Sequence, residues 1–256
     1  MYLSVVFPAY NEAAAILAGK LAQAAGWLAE QPYEAELLVV DDGSTDETAL
    51  LARRARLDQG VVARVISIEH AGKAAAVVAG LRQARGQVVL LSDMDLATPI
   101  TETPKLLDAL QRGEVAVGSR GLRRAGAPAA RYLLSWGQMG LRQVLLGLRL
   151  TDTPCGFKAF RRAEALRVLE QLYVYQPARL GALRGPSVSS GFDVEFLYVA
   201  RRLGYRICEV PVEWNYQATR RVNVLREAWR GVRDLARIVA AAGQGRYPSA
   251  PGDGSR

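Results

Sequence analysis

Two aspartates one residue apart, Asp93 and Asp95, are the sharpest chemical feature of this sequence, and they follow the short apolar run 87–91. Carboxylates this close repel each other unless a cation lies between them. Their oxygens are hard ligands that suit Mg²⁺ or Mn²⁺, and such an ion can bridge to a diphosphate. The pair therefore predicts a metal site at the end of a strand. The alternative is that one aspartate caps a helix beginning near Pro99 and Thr101.

A second acidic pair, Asp41 and Asp42, follows the apolar run 36–40 in the same manner. The turn after such a run also uses Asp or Ser to cap the next helix, which is a purely structural role. Two acidic strand ends that face one crevice nevertheless favour a ligand site. Gly72 and Lys73 begin a further predicted helix, where the lysine is either a donor for a sugar or phosphate or simply solvated.

Thiols and imidazoles are scarce, which narrows the chemistry that the chain can perform. The cysteines are Cys155 and Cys208, both in apolar runs, and the single histidine is His70. This composition excludes zinc catalysis and any Ser-His or Cys-His mechanism not built on His70. We expect both cysteines to be core thiols, and the chemistry to depend on carboxylates, cations or a hard metal ion.

Short apolar runs alternate with longer helix-favouring stretches throughout the first half of the chain, which predicts a parallel α/β sheet. The acidic clusters follow these runs, so they lie at the strand ends where open α/β sheets bind ligands. The predicted strands are 2–7, 36–40, 61–68, 87–91 and 114–117, and the predicted helices are 12–30, 46–58, 73–85 and 102–112.

The second half is less regular, but it still predicts strands and helices. We interpret residues 1–242 as one domain, which divides at residues 119 and 120 into two parts. Residues 243–256 are rich in Gly, Pro and Ser and predict a disordered tail. The predicted elements are a helix at 132–148, a strand at 156–160, a loop at 175–190, a helix at 192–203, a strand at 205–212 and a helix at 222–242.

Charge is unevenly distributed along the 256 residues, whose net charge is +8. Residues 1–119 carry 10 basic and 15 acidic groups, whereas residues 120–256 carry 23 and 10. An acidic half joined to a basic half suggests a metal-binding part beside a part that faces anions. Phosphates, a nucleic acid and an anionic membrane all fit, but no nucleic-acid-binding motif accompanies the charge, so no nucleic-acid partner is expected.

The composition is that of a globular protein, with 50% apolar and 23% charged residues. It excludes disordered, collagen-like and coiled-coil chains. No uncharged run reaches the roughly 18 apolar residues that a membrane-spanning helix needs. The N-terminus lacks the basic region of a signal peptide, so we expect a cytoplasmic protein.

Four segments of the first half, in this order, resemble the motifs of family 2 glycosyltransferases, which have the GT-A fold. Four more in the second half resemble the polyprenyl-phosphate branch of that family, especially the dolichyl-phosphate β-glucosyltransferases. The first four are residues 5–12 (VVFPAYNE), 39–46 (VVDDGSTD), 93–96 (DMDL) and 118–120 (GSR). The second four are residues 152–160 (DTPCGFKAF), 191–197 (GFDVEFL), 209–214 (EVPVEW) and 221–223 (RVN).

The resemblance implies that residues 1–119 form a nucleotide-sugar and metal half and that residues 120–242 form an acceptor half. It also implies a role for each matching residue. Asp95, helped by Asp93, would hold the metal, Arg120 and Arg131 would receive the acceptor phosphate, and Asp193 would act as a base or orient the acceptor. Alternatively, Asp193 is only the first-turn acid of a helix. The nucleotide-sugar pocket would comprise Pro8, Tyr10, Glu12, Asp41, Asp42, Lys73 and Asp93, and the sugar pocket would comprise Gly156, Phe157 and Lys158.

The activity implied by the resemblance is an inverting, metal-dependent transfer of a hexose to a polyprenyl phosphate, either dolichyl or undecaprenyl. Glucose from UDP-glucose is the expected donor sugar, and Mg²⁺ or Mn²⁺ is the expected cofactor. The alternative is a family 2 enzyme that acts on a soluble or glycan acceptor. The chain departs from the common Gly-Lys-Gly motif by having Ala74 after Gly72 and Lys73.

A lipid acceptor would have to be reached from the membrane surface, and two segments are suited to this. The helix at 222–242 carries Arg226, Arg230, Arg233 and Arg237 at near-helical spacing, and the stretch 132–148 is apolar. We therefore expect peripheral attachment at the inner face of the membrane. The same long helix is alternatively a solvated one that packs Leu225, Trp229, Val232 and Ile238 against the sheet.

Overall fold

A single β-sheet organises the computed structural model, which describes residues 1–55, 61, 63–121, 129–176, 190–215 and 224–249. Its strands are β1 (Leu3–Ala9), β2 (Ala35–Asp41), β3 (Ala63–Ser67), β4 (Val88–Leu91), β5 (Val115–Ser119), β6 (Lys158–Arg161) and β7 (Ile207–Pro211). Their order across the sheet is β3-β2-β1-β4-β6-β5-β7. Only β6 is antiparallel to its neighbours, β4 and β5. The prediction of a mostly parallel α/β sheet is confirmed.

Helices cover both faces of this sheet. They are α1 (Ala13–Leu17), α2 (Lys20–Ala29), α3 (Thr48–Arg54), α4 (Lys73–Gln83), α5 (Thr103–Ala109), α6 (Ala129–Leu146), α7 (Arg162–Glu170), α8 (Ser190–Arg202) and α9 (Val224–Gly243). The single helix predicted at 12–30 is divided, because Gly19 has a left-handed φ of 77° that ends α1 and begins α2. Helix α7 was not predicted. In the described part of the chain, no helix has both the length and the apolar content needed to cross a bilayer.

Strand β1 shows why the strands of the first half are uninterrupted apolar runs in the sequence. Leu3, Val5 and Phe7 belong to the core on one face of the sheet, whereas Val6 belongs to the core on the other. A strand buried on both faces needs apolar side chains at successive positions rather than at alternate ones. Because β1 pairs parallel with β2 and β4, the carboxyl ends of these three strands lie at a common edge of the sheet.

The C-terminal segment corrects the prediction of a disordered tail from residue 243. Tyr247 is only 7% exposed, and its hydroxyl donates a 2.6 Å hydrogen bond to Oε1 of the buried Glu195. The Nε of Arg202 donates to the carbonyl of Pro248 at 2.6 Å. Tyr247 and Pro248 thus fix this segment to α8, whereas residues 243–246 and 249 are exposed. Residues 250–256, and 177–189 of the predicted loop, lie outside the described residues.

Helix α9 also departs from the inward packing expected for its apolar residues. Ile238 is fully buried, but the side chain of Trp229 is 70% exposed and that of Val232 is 40% exposed. On α6, Val144 is 81% exposed. Leu141 of α6 and Val232 of α9 line one pocket. Val144 and Trp229 lie three residues from them along the same helices, so these exposed apolar residues belong to one surface. The side chain of Leu225 lies outside the described residues.

Candidate active site

The two acidic segments meet at the carboxyl edge of the sheet. Asp41 ends β2 opposite Ala9 of β1. The backbone N–H of Asp42 donates to the carbonyl of Ala9 at 2.8 Å, and that of Ser92, just after β4, donates to Val6 at 3.1 Å. Parallel pairing of β1 with both neighbours therefore brings both clusters to one side of the molecule.

Asp42 organises the loop that leads into α4. Its carboxylate is 2% exposed and accepts hydrogen bonds from the backbone N–H of Ala71 at 2.8 Å and of Gly72 at 2.9 Å. The Nδ1 atom of His70 lies 2.9 Å from the same carboxylate, and the His70 ring stacks on Tyr10 at 4.2 Å. His70 was not predicted as a site residue, although its position shortly before Lys73 was a usable indication.

The loops after β1 and β2 are tied together by side-chain hydrogen bonds. The backbone N–H of Glu12 donates to Oγ1 of Thr48 at 2.7 Å, and that of Thr45 donates to Oδ1 of Asn11 at 2.9 Å. Asp41 accepts from the N–H of Ser44 at 3.2 Å. The segment from Pro8, within β1, to Glu12 therefore shares one rim with Asp41.

Asp93 pairs with Lys73 and lies directly against Gly156. A Cβ at position 156 would stand 2.2 Å from Oδ2 of Asp93, so only glycine leaves room for this carboxylate. Burial opposes the charge on both partners, yet the Lys73 ammonium lowers the pKa of Asp93 and the Asp93 carboxylate raises the pKa of Lys73. Burial, together with the charge of Asp93, raises the pKa of Asp95.

The Asp93 and Asp95 pair fits a hard divalent cation. Oδ1 of Asp95 accepts one hydrogen bond, from the N–H of Ala97 at 3.0 Å, which leaves its other oxygen for a ligand. Within the described ranges, no three His, Cys, Asp or Glu side chains cluster as a complete metal cage. Mg²⁺ is commonly held by one or two carboxylates together with substrate phosphates and water. This donor set has that composition.

Arg120 lines the same pocket as Asp93, and its guanidinium is fixed by neighbouring side chains. Its Nε and one terminal nitrogen each donate to Asp152 at 2.7 Å, and its guanidinium lies 5.6 Å from the centre of the Trp214 ring. These hydrogen bonds and the charge of Asp152 outweigh burial and raise the pKa of Arg120. The pocket is lined by Ser92, Asp93, Ala97, Thr98, Arg120, Cys155, Gly156, Phe157 and Trp214.

Lys158 and Asp193 form a second buried ion pair beside this pocket. The Nζ atom of Lys158, whose side chain is 2% exposed, donates to Oδ1 of Asp193 at 2.8 Å. Asp193 lies in the first turn of α8, and its charge also acts on Lys73. Gly156 and Phe157 line the pocket itself.

The structure brings most of the predicted site residues together, but it does not place Arg131. That residue lies in α6, and its side chain is outside the described residues. Asp152 and Trp214 belong to recognised motifs but received no predicted role. Their contacts with Arg120 now give them one, because they fix the direction of its guanidinium.

An open α/β sheet with an acidic pair and fixed cations at its carboxyl edge defines a nucleotide-sugar transferase of the GT-A class. The model of the family described as "Glycosyl transferase family 2" matches residues 4–168. The chain therefore belongs to this family and is a glycosyltransferase.

Curated relatives are similar over most of this chain. Glycosyltransferase AglD of Haloferax volcanii is 32% identical, covering 88% of this chain and 35% of the relative. The human dolichyl-phosphate β-glucosyltransferase is 33% identical, with 83% of this chain and 67% of the relative covered. The undecaprenyl-phosphate mannosyltransferase of Micrococcus luteus is 31% identical, with 83% of each covered. The chain thus spans only about a third of AglD.

Solved structures share the fold. Glucosyl-3-phosphoglycerate synthase from Mycobacterium tuberculosis, in complex with Mn²⁺, UDP-glucose and phosphoglyceric acid, superposes with a TM-score of 0.66. The comparison covers 99% of this chain and 82% of that protein, at 22% identity. At this low sequence identity, the similarity shows that the fold is shared and nothing more.

Proposed function

We propose that the protein transfers glucose, with inversion, from UDP-glucose to a polyprenyl phosphate, either dolichyl or undecaprenyl, at the inner face of the membrane. The observation that carries the proposal is a single pocket lined by Asp93 and by Arg120, whose guanidinium is fixed by Asp152. A donor diphosphate and an acceptor phosphate both need such cations and metal ligands close together. The names of the human and Micrococcus luteus relatives support a lipid phosphate acceptor.

On the donor side, the joined loops after β1 and β2 would hold the nucleoside, with Tyr10 and Asp41 at the rim. Asp93 and Asp95 would hold Mg²⁺ or Mn²⁺, which when bound neutralises the diphosphate and stabilises the charge on the leaving group. Lys73 contributes a further positive charge at Asp93. The close approach of Gly156 to Asp93 leaves the adjacent space for the sugar.

On the acceptor side, a phosphate monoester has a second pKa of about 6 and is already a competent nucleophile at neutral pH. Cations that steer it matter more than a strong base. Arg120 is preorganised for this role because Asp152 fixes its guanidinium. Asp193, whose charge is balanced by Lys158, orients the acceptor for attack on the face opposite the diphosphate. Arg131 would be a second phosphate-binding cation.

The decisive experiment incubates the full chain with Mn²⁺, undecaprenyl phosphate or dolichyl phosphate, and a panel of nucleotide sugars that includes UDP-glucose and GDP-mannose. Mass spectrometry of the lipid fraction should show a hexosyl phosphate lipid, formed fastest from UDP-glucose. NMR of the product should show a β-linked sugar, as inversion of the α-linked donor requires. A parallel reaction contains a soluble or glycan acceptor, and hexose that appears only on a hydroxyl of that acceptor would instead support the alternative.

Access to the lipid would occur at the surface formed by α6 and α9. This surface combines exposed Val144 and Trp229 with Arg233 and Arg237, whose side chains are 62% and 57% exposed. Basic residues near an anionic membrane contribute about 1 kcal/mol each. The protein should sediment with anionic vesicles at low salt and be released as salt rises. Protein that stays in the supernatant at low salt contradicts the membrane-surface proposal.

A further inference from the structure

A second pocket lies between α6, α8 and α9, on the acceptor half of the molecule. It is lined by Leu141, Arg142, Gly191, Val194, Gly231, Val232 and Leu235. Its cavity volume is about 20 Å³, which is room for one oxygen-sized group. Every lining residue except Arg142 is apolar or glycine, so a single cation lies in otherwise apolar walls.

Arg142 has no visible reason to be buried. The residue is 6% exposed, and its Nε atom has no hydrogen-bond partner in the described structure. An unsatisfied buried donor on a charged group is costly, and burial accordingly lowers the pKa of Arg142. An anion that enters the pocket would supply the missing partner.

The acidic residues near Arg142 do not fill this role, because each has a cation of its own. The charges of Asp152 and Asp193 both act on Arg142. Asp152, however, is bound by Arg120, and Asp193 is bound by Lys158. Arg142 therefore remains a buried cation without a contacting carboxylate among the described residues.

The pocket adjoins the active site across the first turn of α8. Gly191 and Val194, three residues apart and hence on one face of the helix, line the pocket. Asp193, between them in sequence, is directed to Lys158 beside the donor pocket. The charge of Asp193 nevertheless acts on Arg142, so a phosphate held at Arg142 would lie within electrostatic reach of the residue that we propose orients the acceptor.

The outer wall of the pocket is continuous with an exposed apolar surface. Leu141 and Val232 line the pocket and are 43% and 40% exposed. Beyond them, Val144, Leu145 and Trp229 are 81%, 49% and 70% exposed. An apolar surface that leads to a buried guanidinium matches a ligand with a long hydrocarbon chain and one anionic end.

We infer that Arg142 is a binding residue for the phosphate of an isoprenoid phosphate, whose hydrocarbon chain lies along α6 and α9. The inference rests on the proposed function, because that function supplies the isoprenoid phosphate. The small cavity admits one phosphate oxygen, while the rest of the phosphate group stays at the mouth. Free phosphate carries the same dianionic group, and the apolar surface selects the lipid.

The test is calorimetric titration of the full chain with farnesyl phosphate, farnesol and inorganic phosphate, without any sugar nucleotide. Farnesyl phosphate should bind the wild type at least about tenfold more tightly than either fragment. Arg142→Leu should weaken farnesyl phosphate binding by at least about tenfold, the loss of one charged hydrogen bond. Arg142→Lys should lie between them, since an ammonium lacks the forked geometry.

Two controls separate binding from folding. Arg149→Gln alters an exposed arginine just after α6 and should leave farnesyl phosphate binding unchanged. Arg142→Leu should melt at the wild-type temperature or above, because the substitution removes an unpaired buried charge. A variant that binds more weakly while melting no earlier supports the inference. A variant that loses binding only together with a lower melting temperature overturns it, and Arg142→Lys with unchanged affinity does the same.

The result is separable from that of the transfer assay. Transfer to undecaprenyl phosphate with unchanged farnesyl phosphate affinity in Arg142→Leu would leave the proposed function standing and overturn the role of Arg142. Arg142-dependent binding of farnesyl phosphate without transfer would overturn the proposed function and support the site. Inorganic phosphate that binds as tightly as farnesyl phosphate would overturn the lipid assignment.

Discussion

In the pocket at the ends of β4 and β5, the described cations each touch a carboxylate, whereas the pocket between α6, α8 and α9 contains a guanidinium that touches none. Arg120 and Asp152 represent the first arrangement and Arg142 the second. Paired charges keep their geometry without a ligand, which suits a site that must be preorganised for catalysis. An unpaired buried charge is instead an indication that a ligand completes the site.

Glu195 shows that the region around α8 is able to satisfy a buried charge without a counter-charge. This fully buried carboxylate accepts hydrogen bonds of 2.7 to 2.8 Å from the backbone N–H groups of Tyr173, Val174 and Tyr175. Arg142, in the same region, has no equivalent acceptors. The missing hydrogen-bond partner is therefore specific to Arg142 and is not a general property of the region around α8.

The largest expected effect comes from removing the proposed metal ligands of the pocket that contains Arg120 and Asp93. Asp93→Asn and Asp95→Asn should each reduce turnover about 10³-fold or more, because Lewis-acid stabilisation is worth several kcal/mol. The measurement is the rate of lipid glucosylation at saturating substrates. Asp108→Asn, which changes an exposed carboxylate on α5, is the control and should retain full activity. Excess EDTA should also stop the wild type, and undiminished activity in EDTA would remove the metal from the mechanism.

The next effect tests whether Arg120 depends on its partner for stability. Asp152→Asn should lower the free energy of unfolding by about 3 kcal/mol, because breaking a buried pair leaves a charge uncompensated. The lower end of the usual range applies, since the Arg120 side chain is 16% exposed. Urea unfolding measures the change. If Asp152→Asn unfolds like the wild type, the ion pair between Arg120 and Asp152 does not stabilise the fold. Asp108→Asn breaks an exposed ion pair and is the control, which should change the free energy of unfolding little.

Removal of the Arg120 guanidinium should weaken binding of the acceptor more than binding of the donor. Arg120→Ala should raise the KM for undecaprenyl phosphate about 10- to 100-fold, which corresponds to about 1.5–3 kcal/mol for a charged hydrogen bond to phosphate. The Kd for UDP, measured by calorimetry, should change much less. Arg112→Ala removes an exposed arginine and serves as the control. An equal loss of UDP affinity would assign Arg120 to the donor side.

The smallest expected effect concerns the carboxylate that is satisfied by neutral donors. Tyr247→Phe removes one hydrogen bond to Glu195 and should cost about 1.5 kcal/mol of unfolding free energy. Tyr205→Phe is the control, because the Tyr205 hydroxyl makes no hydrogen bond within the described residues. Thermal unfolding of both variants is the measurement. Equal melting temperatures would show that the three backbone donors are sufficient for Glu195.

The sequence predicted the strands of residues 1–119 well, because strands buried on both faces are continuous apolar runs with polar clusters at their ends. It did not predict the antiparallel direction of β6, which depends on how the chain returns to the sheet rather than on local composition. Helix α7 was not predicted, because it begins at Arg162, immediately after β6 ends at Arg161, and no turn residue separates the two elements.

The candidate site was only partly predictable for a similar reason. Motif residues such as Asp93 and Arg120 were identified from local sequence. Arg142 was not, because its burial is created by α8 and α9, which are distant in sequence. The position of His70 was not predicted either, because its hydrogen-bond partner, Asp42, lies 28 residues earlier in the chain.

The insertion of β6 between β4 and β5 also bears on how the nascent chain folds. Strand β5 pairs only with β6 and β7, so both of its neighbours are synthesised after it. A fragment ending at residue 119 would expose an unpaired β5 and a bare edge of β4, which are templates for aggregation. We therefore expect residues 1–119 to aggregate when expressed as an isolated fragment. During translation β5 has no strand partner until residues 158–161 have emerged, so its pairing with β6 is a slow, long-range step of assembly.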